Sequence, residues 1–370
     1  MRKGWEYKKL GDCTQILDSQ RKPVTKRDRK SGIYPYYGAT GIQDYVDKYI
    51  FDGRYVLVGE DGAKWSSFTQ SAFIIEGKTW VNNHAHVLRT NDFLVDSFLV
   101  YFLNYSDLDS YISGAIIRKL TQASLRNIDI PLPPKSTQLA IVSELDKINE
   151  LIRLKKEQLK DFDNLAQSLF YEMFGDPVEN EKGWEVKKLG EIAKSAIGLT
   201  YKPENVTEEL SGIVVLRSSN IQNSILDFND IVRVNVLVKE DKMVNDGDIL
   251  MCSRNGSFRL VGKVALIKGL KERMSYGAFM TIIRSPYNPY LFEYFKTPAF
   301  RQYLITGKTT TVNQITVKML NNLTLPLPPL SLQRLLAQRI EQIEREKSEV
   351  QKSIQDLEIL LASRMQYWFE

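Results

Sequence analysis

The sequence predicts an α+β protein in which two mixed α/β domains stand in tandem and each is followed by one long helix. Three observations predict it: a nine-residue element occurs twice, a proline-rich segment closes each half, and a long polar run with regularly spaced apolar residues follows each closing segment. Self-similarity at this scale indicates a repeated structural unit. A length of 370 residues also exceeds what one ordinary core holds.

Each half opens and closes with shared sequence. Residues 4–12 read GWEYKKLGD and residues 183–191 read GWEVKKLGE, so seven of nine positions are identical. Residues 128–174 align without a gap onto residues 323–369. The pairs shared there are Pro131/Pro326, Pro133/Pro328, Pro134/Pro329, Ser136/Ser331, Gln138/Gln333 and Ile148/Ile343.

The stretches between these shared elements differ strongly, which indicates one scaffold that carries two diverged inserts. The expected boundaries are a first domain over 1–135, a central helix over 136–175, a linker over 176–182, a second domain over 183–330 and a C-terminal helix over 331–370.

Local signals predict where the long helices begin and end. Pro133 and Pro134 cannot continue a preceding element, Ser136 is a candidate N-cap, and the run Phe174-Gly175-Asp176-Pro177 ends the central helix. Apolar residues then recur in steps of four and three, the spacing of a coiled-coil seam. The seam residues are Ile141, Leu145, Ile148, Ile152, Leu159, Phe162 and Leu169 in the central helix, and Leu336, Ile340, Ile343, Val350, Ile354, Leu357 and Leu361 in the C-terminal helix.

The matching seams predict that the two helices pair as an antiparallel coiled coil with pseudo-twofold symmetry. At about 1.5 Å per residue, each helix would span roughly 50 Å and serve as a spacer with one domain at each end. Ordinary surface helices, each packed on its own domain, are the alternative. Lys155 and Lys347 occupy seam positions, where a lysine either sets the register or extends its ammonium group to solvent.

Both inserts are predicted to be rich in short strands. In the first, residues 45–51 and 54–58 are candidate strands, and Asp52-Gly53 between them is a hairpin signal. In the second, the candidate strands are residues 213–216, 248–251 and 279–283. Helices are expected over residues 97–105 and 289–295.

Polar loops in both inserts carry the residue types that contact DNA. Arginine suits guanine, asparagine or glutamine suits adenine, lysine suits phosphate, and glycine lets the backbone approach. The candidates in the first insert are Tyr36, Tyr37, Gly38, Thr40, Lys64, Trp65, Asn82, Asn83, His84, His86, Arg118, Lys119, Thr121 and Gln122. In the second insert they are Arg217, Ser218, Asn220, Arg254, Asn255, Ser257, Arg259, Tyr276, Lys308, Thr309, Asn313 and Gln314. An ordinary polar loop is the alternative for each.

Composition limits the class of protein. With 50 Lys and Arg against 45 Asp and Glu, the net charge of +5 permits a nucleic-acid partner without requiring one. Two cysteines, Cys13 and Cys252, with two histidines exclude a disulfide framework and a zinc cluster, and His84 with His86 is not expected to bind a metal. The start of the chain lacks a signal-peptide core and the longest apolar runs are short, so we expect a cytoplasmic protein without membrane contact.

The motifs of catalysis are incomplete. Gly77-Lys78-Thr79 and Gly307-Lys308-Thr309 lack the first glycine of a P-loop, and no methyl-transfer loop or glycine-rich turn for S-adenosylmethionine is evident. Asp61, Glu76 and Lys78 have the spelling of a nuclease site, although the same Glu-x-Lys spelling occurs inside the repeated element. We expect no catalytic residues and no cofactor in this chain.

The order of these elements resembles the specificity subunit of type I restriction-modification enzymes. The resemblance covers essentially the whole chain, and the stretch PYYGATGIQDYVDKYIFDGRYVLVGEDGA with NNHAHVLR resembles a recurrent recognition domain of that family. It implies that each insert is a target recognition domain that reads one half of a split, asymmetric sequence in double-stranded DNA.

The resemblance also implies partners. The two helices would fix the unread gap and dock two methyltransferase subunits, which recruit restriction subunits; those partners would use S-adenosylmethionine, ATP and Mg²⁺. Two other functions stay open: a stand-alone coiled-coil DNA-binding regulator or scaffold, and a nuclease that uses Asp61, Glu76 and Lys78.

Overall fold

The computed structural model describes residues 5–114, 116, 118–307 and 313–370. The chain divides into two compact units. The first unit comprises residues 1–157 and 350–370, and the second comprises residues 158–349. Each unit therefore contains one globular domain and one part of each long helix.

The first domain is built on a six-stranded sheet with the strand order β2-β7-β5-β6-β3-β4, in which only the β3 and β6 pair is parallel. In chain order, its elements and the central helix are β1 (Glu6–Lys9), α1 (Leu10–Cys13), β2 (Thr14–Ile16), β3 (Ser31–Gly38), β4 (Gly41–Val46), β5 (Phe51–Gly59), β6 (Ala72–Val81), β7 (Ala85–Thr90), α2 (Asp96–Tyr105), β8 (Ile112–Ser113), β9 (Lys119–Leu120), α3 (Gln122–Arg126), β10 (Asp129–Leu132) and α4 (Lys135–Phe174).

Strand β5 is buried on both faces of this sheet. Val56 and Val58 pack in one core with Phe98 of α2, whereas Leu57 packs in a second core on the opposite face. Successive side chains of a strand point to opposite faces, so one strand can serve two cores.

The predicted hairpin at Asp52-Gly53 is wrong, because both residues lie inside β5. Strand β6 pairs with β5 along its length, and Gly53 lies opposite Gly77. Gly53 has φ of +142° and Gly77 has φ of +76°, which are backbone conformations that glycine adopts readily. The two glycines therefore permit a local irregularity within the paired strands and do not form a turn.

The second domain divides its strands among smaller sheets, of which the two largest have the orders β12-β21-β18-β19 and β13-β17-β14-β20. Its elements and the C-terminal helix are β11 (Glu185–Lys188), α5 (Leu189–Ile192), β12 (Lys194–Ile197), β13 (Val206–Thr207), β14 (Ile213–Leu216), β15 (Ile221–Gln222), β16 (Ile225–Leu226), β17 (Arg233–Val234), β18 (Ile249–Cys252), β19 (Val264–Leu266), β20 (Met274–Tyr276), β21 (Met280–Arg284), α6 (Asn288–Phe295), α7 (Pro298–Thr306), α8 (Val317–Asn322), β22 (Thr324–Leu327) and α9 (Leu330–Phe369). The predicted helices 97–105 and 289–295 and the three strands predicted in this insert are confirmed within one residue at each end.

The repeated GWE element closes each domain in the same way. In the first domain β1 pairs antiparallel with β10, and in the second β11 pairs antiparallel with β22. The amide of Leu10 then donates to the carbonyl of Ile128, and that of Leu189 donates to Leu323, each at 2.8 Å. Sequence identity between the halves therefore marks the strand pair that leads into each long helix.

The prediction that Ser136 caps the central helix is wrong, because α4 already begins at Lys135. Helix α9 begins at the equivalent residue, Leu330. The carbonyl of Pro134 accepts from the amide of Gln138 at 3.1 Å, and that of Pro329 accepts from Gln333 at 3.2 Å. Both glutamines are buried, and each donates from Nε2 to the carbonyl of the first proline of its pair. The bond to Pro133 is 2.9 Å long and the bond to Pro328 is 2.6 Å long. The buried glutamine thus orders the proline turn, since a prolyl residue has no amide of its own to donate.

The helices pair antiparallel within each unit. In the first unit Glu144 binds Arg364 and accepts from Trp368 Nε1 at 3.0 Å, while Lys156 binds Glu358 at 2.8 Å, so residue numbers rise in α4 as they fall in α9. In the second unit Lys347 binds Asp163 at 2.7 Å. Each of the predicted seam residues is buried or partly buried.

The end of each long helix packs on the globular domain of the other half, a contact that the sequence analysis did not predict. In the first unit, the Phe369 ring of α9 lies 5.5 Å from the Phe98 ring of α2. In the second unit, Phe170 of α4 stacks on Tyr290 of α6 at 5.7 Å. Because the same helices also pair with one another, the alternative of surface helices packed only on their own domains does not describe this chain.

Among the described residues, no helix combines the length and the apolar character that crossing a membrane requires.

Candidate nucleic-acid interface

Two carboxylates hold the candidate loops of the first domain together. Glu60 follows β5 and binds both Arg21 and the Lys119 ammonium group, the latter at 2.7 Å. Asp18 accepts from the side-chain amide of Gln122 at 3.1 Å. Segments that lie far apart in the chain therefore meet around Asp18 and Glu60, neither of which the sequence analysis selected.

Burial and hydrogen bonding oppose one another at these carboxyl groups. Burial raises the pKa of Asp18, but its hydrogen bonds from His86 and the Val87 amide outweigh that effect and hold the pKa below its usual value. Burial likewise raises the pKa of Glu60, and the bonds from Lys119 and Arg21 lower it further than burial raises it. Both groups are thus anionic at neutral pH, with side chains only 7% and 9% exposed.

His86 is held by acceptors on both sides of its ring. Nδ1 lies 2.6 Å from Asp18 Oδ2, and Nε2 lies 2.8 Å from the carbonyl oxygen of Leu120. With a partner at each nitrogen, the orientation of the imidazole ring is fixed within the network. Asp18, Glu60 and His86 lie close enough to suggest a metal site. Their ligand atoms are instead directed at Arg21, Lys119 and Leu120, which fits an ion-pair network and not a metal.

Several candidate residues of the first domain are buried, and their predicted role as direct base contacts is therefore revised. Trp65 Nε1 donates to the Gly59 carbonyl at 3.1 Å, and the Tyr36 hydroxyl accepts from the Val24 amide at 3.0 Å. Asn82 Oδ1 accepts from the His84 amide at 2.8 Å. These side chains order the loops. The buried candidates are Tyr36, Gly38, Trp65, Asn82 and His86.

The remaining candidates of the first domain reach the surface. His84 is 48% exposed at the side chain and pairs through Nδ1 with Asp61 at 2.5 Å, and Arg118 pairs with Asp109 at 2.8 Å. Thr121 caps α3 by accepting from the Ser124 amide at 3.2 Å. The candidates with exposed or partly exposed side chains are Tyr37, Thr40, Lys64, Asn83, His84, Arg118, Lys119, Thr121 and Gln122.

In the second domain, three candidate segments meet at one edge. Arg254 and Gln314 form a β-bridge, and the Asn255 amide donates to the Asn313 carbonyl at 3.3 Å. Asn255 Nδ2 donates to Ser218 Oγ at 3.2 Å. The fold thus brings together an arginine, two asparagines and a glutamine, the side chains suited to base edges.

Phe279 belongs to this cluster although the sequence analysis placed it only in a strand. Its ring is 58% exposed, and the Arg254 guanidinium lies 5.2 Å from the ring centroid. The amides of Ser253 and Arg254 both donate to the Phe279 carbonyl, at 2.9 and 3.0 Å, which fixes the backbone beneath the ring. An exposed aromatic ring held in this way can pack on a thymine methyl group or a base step.

Other candidates of the second domain have different roles. Asn220 is buried and donates to the carbonyls of Asp227 and Asp230, and Tyr276 is fully buried, so neither reaches a base in this conformation. Arg217 pairs with Asp230 at 2.7 Å. Ser257 and Arg259 are exposed. Lys308 and Thr309 lie outside the described residues.

The nuclease alternative requires Asp61 and Glu76 to share a metal ion. Glu76 binds Arg54 and lies opposite it in the sheet, whereas Asp61 follows Gly59 at the other end of β5. Five residues of strand between Arg54 and Gly59 span about 16 Å at about 3.3 Å per residue. The two carboxylates are therefore too far apart to hold one Mg²⁺.

Two domains with the same closing strands, different polar loop clusters and paired helices define a DNA-recognition protein with two reading domains. The model for the type I restriction modification DNA specificity domain matches residues 2–161 and 181–358. The chain belongs to this family.

Curated relatives agree with that assignment, and solved structures agree with the fold. The MjaVIII specificity subunit of Methanocaldococcus jannaschii is 23% identical over 94% of this chain and 90% of its own length. The S.HindORF215P specificity subunit of Haemophilus influenzae is 41% identical, but the match spans 40% of this chain and 38% of that protein. The S subunit of a type I restriction-modification system from M. genitalium has a TM-score of 0.56 at 14% identity, and the match covers all of this chain and 98% of that one. A chain from a study of assembly and conformational transition in the type I R-M system has a TM-score of 0.63 at 19% identity over all of this chain and 98% of its own. At these identities the structures support the fold.

Proposed function

We propose that this chain is the DNA sequence-specificity subunit of a type I restriction-modification complex. The observation that carries the proposal is the pair of domains closed by equivalent strand pairs, β1 with β10 and β11 with β22, around unlike loop clusters. A common scaffold with unlike reading loops suits a bipartite, asymmetric target in double-stranded DNA.

The chemistry of the complex is assigned to partners. In this proposal two methyltransferase subunits use S-adenosylmethionine, and restriction subunits use ATP and Mg²⁺. The separation of Asp61 from Glu76 supports a chain that reads DNA without cutting it. Exposed apolar residues on the helices support docking of partner subunits, because large apolar side chains left in water mark interaction surfaces.

Mapping of methylated adenines tests the proposed function. A genome in which this gene is intact should show one bipartite methylated sequence, which disappears when the gene is deleted and returns when the full chain is restored. A stand-alone regulator or scaffold predicts the same methylation with and without the gene. That outcome would contradict the proposal.

A docking surface on the first unit gives a further prediction. Leu139, Leu151 and Leu154 of the central helix are 51%, 48% and 46% exposed. Changing Leu151 and Leu154 together to glutamine should sharply reduce co-purification of the methyltransferase subunit. The free energy of unfolding of the chain should fall by only about 1 kcal/mol per site, because about half of each side chain is already in water.

The matched contrast is Leu145, a fully buried residue of the same helix. Leu145→Ala should lower the free energy of unfolding by about 2 to 5 kcal/mol through the cavity it leaves. If the glutamine variant bound the methyltransferase as tightly as the original chain does, this face would not be the docking surface.

A further inference from the structure

A strongly basic loop lies beside the candidate reading residues of the first domain. Residues 21–30, here named the basic loop, read RKPVTKRDRK and contain six basic residues and one acidic residue. None of the candidate residues from the sequence analysis falls in this loop.

The backbone of the basic loop is fixed by the sheet beneath it. Trp80 Nε1 donates to the Lys22 carbonyl at 2.7 Å, and the Val24 amide donates to the Tyr36 hydroxyl at 3.0 Å. Near the end of the loop, the Lys30 carbonyl accepts from the Asp47 amide at 3.1 Å. The loop has no strand or helix of its own, yet these bonds hold it at both ends and in the middle.

The six basic side chains divide into two groups. Arg21 and Arg29 are turned inward, with side chains 12% and 15% exposed, and pair with carboxylates. Arg29 also lies 4.1 Å above the Tyr36 ring. The other four are exposed, and none makes an ion pair with any residue that the structure describes: Lys22, Lys26, Arg27 and Lys30. Two arginines therefore anchor the loop, and four cations remain available to a ligand.

The anchor at Arg21 connects the basic loop to the reading residues. Arg21 Nη1 donates to the Ala85 carbonyl at 2.8 Å and binds Glu60, which also binds Lys119. The same guanidinium contacts the carbonyl of Asn83 at 3.4 Å. One buried network thus sets the position of the four exposed cations relative to Asn83 and Lys119.

The chemistry of the loop indicates the part of DNA that it binds. Four exposed cations on a fixed backbone suit a line of phosphates. Binding to single strands depends on exposed aromatic rings that stack on bases. Tyr36, which accepts from the Val24 amide of the loop, is buried under Arg29 and offers no such face. A duplex backbone is therefore the ligand that this surface fits.

We propose that Lys22, Lys26, Arg27 and Lys30 bind phosphates of duplex DNA and position the first domain without reading bases. This inference rests on the proposed function and adds a division of labour to it. The basic loop supplies affinity that is independent of sequence, and the exposed polar side chains around Glu60 supply the choice of bases.

The test changes all four cations to glutamine in the full chain, assembled with its methyltransferase subunit. Binding is measured at several salt concentrations to a duplex that carries the mapped target and to an unrelated duplex of equal length. The plot of log Kd against log salt concentration should become shallower by about 3 to 4, since each phosphate contact contributes about 0.9. The ratio of the two affinities and the methylated sequence should stay as they are.

A matched control removes four other exposed cations of the same domain: Lys48, Lys78, Arg89 and Arg126, each changed to glutamine. Thermal unfolding of both variants checks that the fold is kept. Equal changes of slope in the two variants would mean that only net charge counts, and would overturn the proposal. A changed target sequence in the loop variant would overturn it as well.

The outcomes separate this inference from the proposed function. If the original chain shows no preference for the target duplex, the proposed function fails. If the original chain prefers the target and the loop variant keeps the original salt dependence, only the role of the basic loop fails.

Discussion

Replacing Asp18 by asparagine is expected to lower the free energy of unfolding of the first domain by about 3 to 5 kcal/mol, the usual effect of breaking a buried ion pair. The Asp18 carboxylate accepts from the Val87 amide through Oδ1 and from Gln122 through Oδ2, and Oδ2 also faces His86. An amide of the same shape has one acceptor oxygen and no charge, so it leaves a donor without an acceptor and breaks the ion pair with the partly buried Arg21. Urea unfolding followed by tryptophan fluorescence measures the loss.

The pH dependence of this stability follows from the sign of the shift. The pKa of Asp18 is lower in the folded chain than its usual value, mainly because burial is outweighed by bonds from His86 and the Val87 amide. The contribution of Asp18 to the free energy of unfolding is therefore fully present above the pKa that Asp18 has in the unfolded chain, near 4. This contribution is lost as the pH falls through the lower pKa that Asp18 has in the folded chain. The asparagine variant should lack this part of the acid dependence.

An exposed aspartate of the same domain serves as the control. Asp47→Asn should change the free energy of unfolding by less than about 0.5 kcal/mol, because its side chain lies at the surface. Equal stability of the Asp18 and Asp47 variants would show that the buried network does not hold the loops together.

Exchange of residues 13–127 for the corresponding insert of another family member is expected to change one half of the DNA target completely and leave the other half unaltered. The exchanged segment lies within the first unit. Strands β1 and β10, which close the domain, lie outside the segment and keep their own sequence. The second domain has its own core, so its reading loops keep their support. Methylation mapping of a strain that carries the exchanged chain measures both halves at once.

The structure adds a condition to this exchange. Phe369 of the C-terminal helix packs against Phe98 and Phe102 of the exchanged segment, at 5.5 and 5.7 Å between ring centroids. An insert that lacks apolar residues at these two positions should fold poorly, so a matched exchange with both phenylalanines restored is the control. A change in both halves of the target by the restored chain would refute independent reading.

Local signals explain why much of the architecture was predictable. The apolar repeat of a long helix and the prolines that precede the helix are both visible within short stretches of sequence. Helices α4 and α9 accordingly begin within one residue of the predicted positions. The same holds for α2 and α6. The Asp52-Gly53 signal misled because a local turn preference yielded to a full-length partner strand, β6.

The candidate site was less predictable, because its contacts join distant parts of the chain. The Gln122 amide meets Asp18 across 104 positions, and Arg21 meets Glu60 across 39. A charge run was visible at residues 21–30, and it is the signal from which the basic loop could have been found. No local pattern distinguishes the two anchoring arginines from the four exposed cations.

The sequence by itself determined the tandem repeat, the two reading domains and the long helices, since repetition and periodicity are written into neighbouring residues. Only the tertiary structure decided which of the candidate polar side chains are exposed and which are buried. Four candidates are of residue types that often contact bases, yet the packing of the surrounding strands buries them: Tyr36, His86, Asn220 and Tyr276. Exposure depends on what covers a residue, and the covering elements come from elsewhere in the chain.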